Sequence, residues 1–287
     1  MNWSGTTLKK CLYIIIVSLN PGERLKETLN SVFSQTADIF KVIIKDGGSS
    51  DEALDTLERE GYFEGHDNVA IIRKPDKSIY EGMNQAVDYV IEDVKQDHAD
   101  KYCMFLNCGD TFHDENVLKT VAPYLKVYDR PHIIYGDQYN LIQKSIVSSA
   151  PEINEFTLFR NVPCHQVCFY SLSLFTDRAY DVKYTVRADY EHFLYSWYER
   201  KAVCEHIKVI ISDYEGGGYS ETAENKKRSA AQHREITERY MGDRVLKYRL
   251  IMLLTLAPLR TRMAESPVMS RAYNSIKSAV YKRSKKD

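Results

Sequence analysis

The run LYIIIV, from Leu12 to Val17, is followed by Ser18, Leu19, Asn20, Pro21 and Gly22. Its apolar, largely β-branched side chains show no alternation, so neither side of the segment is left for solvent. That is the pattern of a strand buried on both faces, as in a parallel sheet between helix layers. Asn20, Pro21 and Gly22 stop the strand. Asn20 is read as the cap of a helix with Pro21 in its first turn, because Leu25, Leu29, Val32 and Phe33 then recur at helical spacing. The alternation repeats. KVIIK (Lys41 to Lys45) is a second strand, Val69 to Ile72 a third and Tyr102 to Leu106 a fourth. Between the last two, Ile79, Met83, Ala86, Val87, Val90, Ile91 and Val94 mark a helix, and Ile133 to Tyr135 is one more short strand. Strands and helices at this interval predict an open α/β sheet. Beyond residue 140 the pattern thins to a strand over Gln166–Tyr170, a helix over Asp189–Trp197, a strand over Ile207–Ile211 and a charged helix from about Glu221 to Tyr240.

The 287 residues are 44% hydrophobic and 28% charged, enough for a substantial buried core. The net charge of −1 excludes a wholly basic nucleic-acid binder, yet it hides an asymmetry. Residues 246–287 carry ten Lys/Arg against two acidic residues, a net of +8, which leaves −9 for the rest. The expected layout is one domain over 1–221 and a basic helical tail over 222–287. Leu246 to Leu259 is apolar but too short to span a bilayer. It suits a membrane interface drawn to anionic lipid, or else a contact with the body or a second subunit. The six cysteines, at 11, 103, 108, 164, 168 and 204, show neither zinc spacing nor a disulfide framework. Leu12 to Val17 is too short for a signal segment. The expected compartment is the cytoplasm, at most peripheral on the inner face of its membrane.

Ligands of open parallel sheets bind outside the carboxyl ends of the strands. Asp46, Asp76 and Asp110 each stand in a loop at such an end, and Asp189 opens a later helix. Carboxylates gathered there repel one another unless a cation or a donor joins them, and a divalent metal with phosphates would do so. Each loop is also an ordinary turn by composition, and Asp189 also fits as a helix N-terminal acid. Periodicity alone supports an α/β protein with an acidic sheet edge.

Taken as a set, the loops resemble those of family 2 glycosyltransferases with the GT-A fold, in the bacterial branch that builds exopolysaccharide, capsule or colanic-acid-type repeats. The resemblance runs over residues 11–220. Val17-Ser18-Leu19-Asn20 is similar to the opening strand end, and Asp46-Gly47-Gly48-Ser49-Ser50-Asp51 to the D-G-S-S-D loop. Asp76 to Asn84 resembles the segment D-x-G-I-Y-D-A-M-N. Leu106-Asn107-Cys108-Gly109-Asp110 resembles an L-N-x-G-D variant of the metal-binding D-x-D motif. Cys164-His165-Gln166 and Arg187-Ala188-Asp189-Tyr190 resemble the H-Q and A-D-Y segments. Ser78 departs from the branch's usual Gly. Asn107 and Gly109 stand where the fuller motif has Asp, which leaves Asp110 as its one strong carboxylate.

The resemblance implies an inverting transferase with a mostly parallel central sheet. Asn20, Asp46, Asp76, Asn84 and Asp110 would hold the nucleotide-sugar donor, with Asp46 at the base and Asp110 on Mg²⁺ or Mn²⁺. Asp189 would be the general base, and His165 would orient the acceptor or phosphate. UDP-sugars are the commonest donors of the family, and the acceptor would be a saccharide, lipid-linked. Two other readings stand beside it. A nucleotidyltransferase would need a basic Gly-rich loop after the first strand, where Ser18 to Glu23 has no lysine. A silent glycan-binding or scaffold protein is favoured only by the thinned 107–110 motif.

Overall fold

A computed structural model describes residues 10–95, 101–217 and 222–255, with 272, 275 and 276 placed singly. In chain order the first elements are β1 (Leu12–Ser18), α1 (Arg24–Phe33), β2 (Phe40–Asp46), α2 (Ala53–Arg59), β3 (Val69–Arg73), α3 (Ile79–Val94), β4 (Tyr102–Phe105), β5 (Thr111–Phe112) and α4 (Val117–Val121). Then come β6 (His132–Asn140), β7 (Ser145–Val147), α5 (Glu155–Arg160), β8 (Cys168–Ser171), α6 (Ser173–Thr176), α7 (Ala188–Tyr198), β9 (Val203–Tyr214), α8 (Ala223–Met241) and α9 (Arg244–Leu254). The chain forms two compact units, one of residues 1–129 with 169–178, the other of 130–168 with 179–287.

In the first unit β1 lies between β2 and β4, and β3 adds outside β2, all parallel; β8 closes the other side of β4 in the antiparallel sense. The expected parallel, doubly covered sheet is present, since Leu12, Ile14, Ile15 and Ile16 have essentially no exposed surface. Pairing Ser18 with Asp46 and Asp46 with Arg73 brings three strand ends level, so their loops share one edge. α3 packs on β1 and β2 through Tyr80, Met83, Ala86, Val87, Val90 and Val94. A fully buried side chain of this kind contributes about 1.5–3 kcal/mol. The entry to α1 differs from the expectation. That helix begins at Arg24 with Glu23 at its cap position, and Asn20 caps nothing. Gly22, at φ +56°, turns the chain between them, and the Asn20 amide bonds elsewhere.

In the second unit β6 runs parallel to β9 and antiparallel to β7, with register shifts at Tyr135–Asp137 and Asp137–Gln138. Gly136 stands in that irregularity because a Cβ there would lie 2.4 Å from the Val209 carbonyl oxygen. The strand expected from Gln166 starts only at Cys168. His165–Val167 form a single 3₁₀ turn, closed by the Val167 N–H on the Cys164 carbonyl at 3.0 Å.

The charged helix α8 belongs to this unit. Its N-cap Thr222 accepts from the Asn225 N–H, and its inner side braces the segment leading into α7. Ser229 Oγ accepts from Arg187 Nε at 2.7 Å, Gln232 Oε1 from the Val186 N–H at 3.1 Å, and His233 stacks on Tyr190 at 4.9 Å. Buried Glu191 accepts from Tyr240 Oη at 2.7 Å and pairs with Arg239 at 3.4 Å. α9 follows with Val245 and Tyr248 buried. Tyr248 Oη donates to Glu155 Oε2 at 2.7 Å, and its ring meets Phe156 and Phe159. The other side of α9 leaves Leu246, Leu250, Leu253 and Leu254 more than half exposed. Residues 256–259 and the basic end at 281–286 lie outside the described residues.

Burial pushes the His233 imidazole down to about 4, and the charge of Arg187 adds to that effect. The unfolded imidazole titrates near 6.5, so between about 6.5 and 4 the unfolded chain binds the extra proton. His233 therefore contributes no penalty above pH 6.5 and a growing one as pH falls toward 4. Chemical denaturation at pH 7.5 and 4.5 should show His233→Phe losing on the order of 2 kcal/mol less stability between the two pH values than the wild type does. Equal losses would contradict this account.

Candidate active site

The first unit gathers Asn20, Asp46 and Asp76 at the shared strand edge. Asp46 follows directly from β2 and turns its carboxylate into its own loop. Oδ2 accepts from the Gly48 N–H at 3.0 Å and the Ser49 N–H at 3.1 Å, and Oδ1 accepts from the Ser49 hydroxyl. A carboxylate has about four acceptor positions, so one is left for an outside donor. Asn20, in the left-handed region at φ +47°, latches this loop to the end of β1. Its N–H donates to Ser49 Oγ at 2.8 Å, and its Oδ1 accepts from the Ser50 N–H at 2.8 Å. Asp51 completes the latch by accepting from the Gly22 N–H at 2.7 Å. A cavity of about 260 Å³ opens beside the loop, with Asp46, Ser49, Leu54, Lys74 and Pro75 among its walls.

Asp76 is held from beneath by a residue that the sequence reading passed over. Lys45 ends the KVIIK strand with no exposed side-chain surface, and its three ammonium N–H groups all have acceptors. These are the Asp46 carbonyl at 3.0 Å, the Lys74 carbonyl at 2.7 Å and Asp76 Oδ2 at 2.7 Å. A lysine continuing a run of buried isoleucines was the available signal, since an unpaired charge in that place would be prohibitively costly. Two glycines make room for the partner. A Cβ on Gly47 would lie 2.7 Å from Asp76 Oδ2, and one on Gly82 would lie 2.9 Å from it. Ser78, the departure from the branch's glycine, is extended at φ −164°, a conformation open to any residue, and its Oγ accepts from the Glu81 N–H as the N-cap of α3. Asn84 lies on the second turn of that helix.

Asp110 is buried at the end of the β4 loop. Thr28 of α1 fixes the loop, since its hydroxyl donates to the Asp110 carbonyl at 2.9 Å and accepts from the Gly109 N–H at 2.9 Å. Three residues earlier, Asn107 Oδ1 is buried without a hydrogen-bond donor. Among the described residues no group of three or more His, Cys, Asp or Glu side chains forms a metal cage. The set fits a hard divalent cation only in part. Asp110 and the orphaned amide oxygen of Asn107 are the right donor type for Mg²⁺ or Mn²⁺, and a ligand's own oxygens would have to supply the rest.

The second unit brings His165 and Asp189 together. Asp189 stands in the first turn of α7, and its Oδ2 lies 3.3 Å from His165 Nδ1. Asp189 is thus a helix-terminal acid that also faces His165. His165 Nε2 is buried without a partner. A neutral ring with its proton on Nδ1 would donate to Asp189 and leave Nε2 as an acceptor. Asp189 also lines a cavity of about 380 Å³ together with Arg160, Asn161, Arg187 and Tyr190. The Tyr190 hydroxyl donates to the Leu158 carbonyl at 2.7 Å, and burial raises its pKa well above the ordinary phenol value.

A sequence profile described as "Glycosyl transferase family 2" matches residues 13–173. A protein of Mycobacterium bovis named "PGL/p-HBAD biosynthesis glycosyltransferase" is 29% identical over 215 residues, which cover 74% of this chain and 80% of the relative. Among solved structures, S. aureus TarS 1-349 in complex with UDP-GlcNAc superposes with a TM-score of 0.57 at 13% identity, over 82% of this chain and 72% of that one. The mannosyltransferase PcManGT from Pyrobaculum calidifontis, in complex with GDP-Man and Mn2+, gives a TM-score of 0.58 at 10% identity, over 98% of this chain and 84% of that one. At such identities the structures speak for the fold, and it is GT-A-like.

The Lys45–Asp76 pair yields a first expectation at this site. Removing one partner of a buried pair leaves an uncompensated charge and costs about 3–5 kcal/mol. In urea denaturation Lys45→Met should lose that much, and the double variant Lys45→Met/Asp76→Asn clearly less than the sum of the two single changes. Strict additivity would mean that the two side chains do not depend on each other.

Proposed function

The chain belongs to glycosyltransferase family 2, and on that premise we propose that it transfers a sugar, with inversion, from a nucleoside diphosphate donor to a saccharide acceptor carried on a lipid, in surface polysaccharide synthesis. The observation that carries this reading is the Asp189 carboxylate, held by His165, on the wall of a cavity of about 380 Å³. That volume falls within the usual range for a small-ligand site. Asp189 acts as general base. It takes the proton of the acceptor hydroxyl while that oxygen attacks the anomeric carbon, and the bond to the diphosphate breaks with its electron pair leaving on the diphosphate oxygen. His165 orients the base through Nδ1.

The donor lies on the first unit's strand edge. Asp46 offers its remaining acceptor position to a base N–H, Asn20 fixes the loop that carries it, and Asp76 and Asn84 hold the nucleotide further along. UDP is the favoured nucleotide. The TarS structure named with UDP-GlcNAc supports it, while the GDP-Man neighbour shows that the fold itself is not restricted to uridine. Asp110 with Asn107 Oδ1 would hold Mg²⁺ or Mn²⁺, whose charge would offset that of the leaving diphosphate. Asp189→Asn is expected to lower kcat by about 10²–10⁴-fold with the donor KM nearly unchanged, whereas Asp110→Ala should act on both and raise the metal concentration needed. Turnover of a nucleotide-sugar panel with Mn²⁺ tests this, and wild-type rates in both variants would defeat the assignment.

The acceptor's lipid gives α9 a task. Among the described residues no helix is long and apolar enough to cross a membrane, yet the exposed face of Leu246, Leu250, Leu253 and Leu254 lies beside Lys247 and Arg249 in the strongly basic C-terminal stretch. An apolar face edged with cations fits the surface of an anionic leaflet. Leu250→Glu/Leu253→Glu should abolish sedimentation with phosphatidylglycerol vesicles at low salt while Val245 and Tyr248 keep the helix packed. Undiminished binding would overturn the membrane role. Splitting of a solution dimer without any vesicle binding would also overturn it, and would assign the face to a second copy.

A further inference from the structure

The cavity beside Asp189 carries two cations that the transfer chemistry described above does not use. Arg187 is built into place. Its Nε donates to Ser229 Oγ at 2.7 Å, its Nη1 donates to Asn161 Oδ1 at 2.9 Å, and its guanidinium lies 5.6 Å from the centre of the Tyr190 ring. These partners are all uncharged. Arg160, on the last turn of α5, has an exposed side chain at the same cavity. Among the described residues neither guanidinium is paired with a carboxylate, and the one acidic residue on the cavity wall is Asp189.

The rest of the lining sharpens the point. Val147, Ala150, Val162 and Pro163 give it apolar surface, and Ser148, Ser149 and Thr157 add hydroxyls. Apolar walls with a few convergent polar groups are the usual make-up of a small-ligand site. A neutral sugar would need hydroxyl and amide partners only. It would leave the exposed guanidinium of Arg160 and the remaining N–H donors of Arg187 without an anion, although guanidinium geometry is matched to carboxylate and phosphate oxygens. Arg187 is also held without a carboxylate among the described residues. Its charge helps keep neighbouring His233 neutral, and α8 supplies a hydroxyl rather than a carboxylate to fix it.

We propose that this cavity binds an acceptor sugar bearing an anionic substituent, a carboxylate or a phosphate, with Arg160 and Arg187 meeting the anion and Asp189 meeting the hydroxyl to be glycosylated. The cavity's size keeps anion and hydroxyl on one sugar or on immediate neighbours. The assignment rests on the acceptor-side reading of Asp189 given above and adds to it the acceptor's charge. A guanidinium clamp also orients its sugar. Losing it should therefore raise the acceptor KM and leave donor binding alone.

The test is direct binding to the full chain, followed by ligand-observed NMR, with glucose, glucuronate, glucose 6-phosphate and inorganic phosphate as probes. One charge-assisted contact is worth about tenfold in affinity. Glucuronate or glucose 6-phosphate should accordingly bind about tenfold more tightly than glucose, and whichever is preferred identifies the anion. Arg160→Gln, whose side chain has no protein partner to lose, should shrink the preference, and Arg160→Gln/Arg187→Gln should erase it. Equal binding of all three sugars would overturn the proposal. So would phosphate binding as tightly as glucose 6-phosphate, which would make this a bare anion site. Displacement of the sugar probes by UDP would overturn it too, by giving the arginines to the donor's diphosphate. Transfer is assayed in parallel. No charge preference together with an inactive Asp189→Asn defeats only this inference, whereas an active Asp189→Asn defeats the acceptor-side reading itself.

Discussion

The first unit depends on a lysine that has no access to water. Lys45 can stay charged inside the sheet only because three oxygens converge on its ammonium group, and each belongs to a different part of the edge. One is the carbonyl of Asp46 at the end of β2. Another is the carbonyl of Lys74 beyond β3. The third is the carboxylate of Asp76, just ahead of α3. Satisfying the cation therefore fixes three loop segments with one side chain. The pair need not add net stability relative to an apolar replacement of similar shape. Its effect is on position, and the absence of a Cβ at Gly47 and Gly82 shows how tightly the surrounding backbone closes on Asp76.

The second unit solves a similar problem with a helix. The segment from Thr185 to Glu191 carries both Arg187 and Asp189, and α8 contacts it with Ser229, Gln232, His233, Arg239 and Tyr240 in succession. These partners recur three, four or seven residues apart, the spacing that places side chains on one side of a helix. The C-terminal region expected to be a tail thus begins with a helix that shapes the cavity wall. Only after it, at α9, does the chain present an exposed leucine face.

Much of this was legible beforehand. Unalternating apolar runs such as LYIIIV and KVIIK marked doubly buried strands, because side chains covered on both faces need no polar positions. The loops at the strand ends were legible as those of family 2 from their order and spacing. Asn20 was not, because its amide has equally good local uses as a helix cap and as a latch to a loop about 30 residues later. Propensity cannot choose between them, and the backbone turn at Gly22 does. Ser78 was a departure from a pattern that called for glycine, and the extended backbone there accepts a side chain and gives its hydroxyl a capping role. Lys45 was readable in principle as a misplaced charge, but its partner Asp76, 31 residues away, was not. The bracing by α8 was invisible because a polar helix with scattered contacts looks like a solvated one.

Of the four acidic residues singled out in the sequence, two supply position more than charge. Asp46 uses three acceptor positions on its own loop, and Asp76 faces an ammonium group at 2.7 Å. Carboxylates on one strand edge repel one another, so settling Asp46 and Asp76 within the protein lowers the cost of building the first unit's edge before any ligand arrives. It also bears on Asn107. An amide at that position leaves Asp110 as the only charge in a thin donor set, and one carboxylate binds a divalent cation weakly by itself. Affinity would rise only when a diphosphate brings its own oxygens, which would couple metal binding to donor binding. A pre-bound cation would act on every anion in its vicinity, whereas one that arrives with the donor supplies its charge when the leaving group needs it.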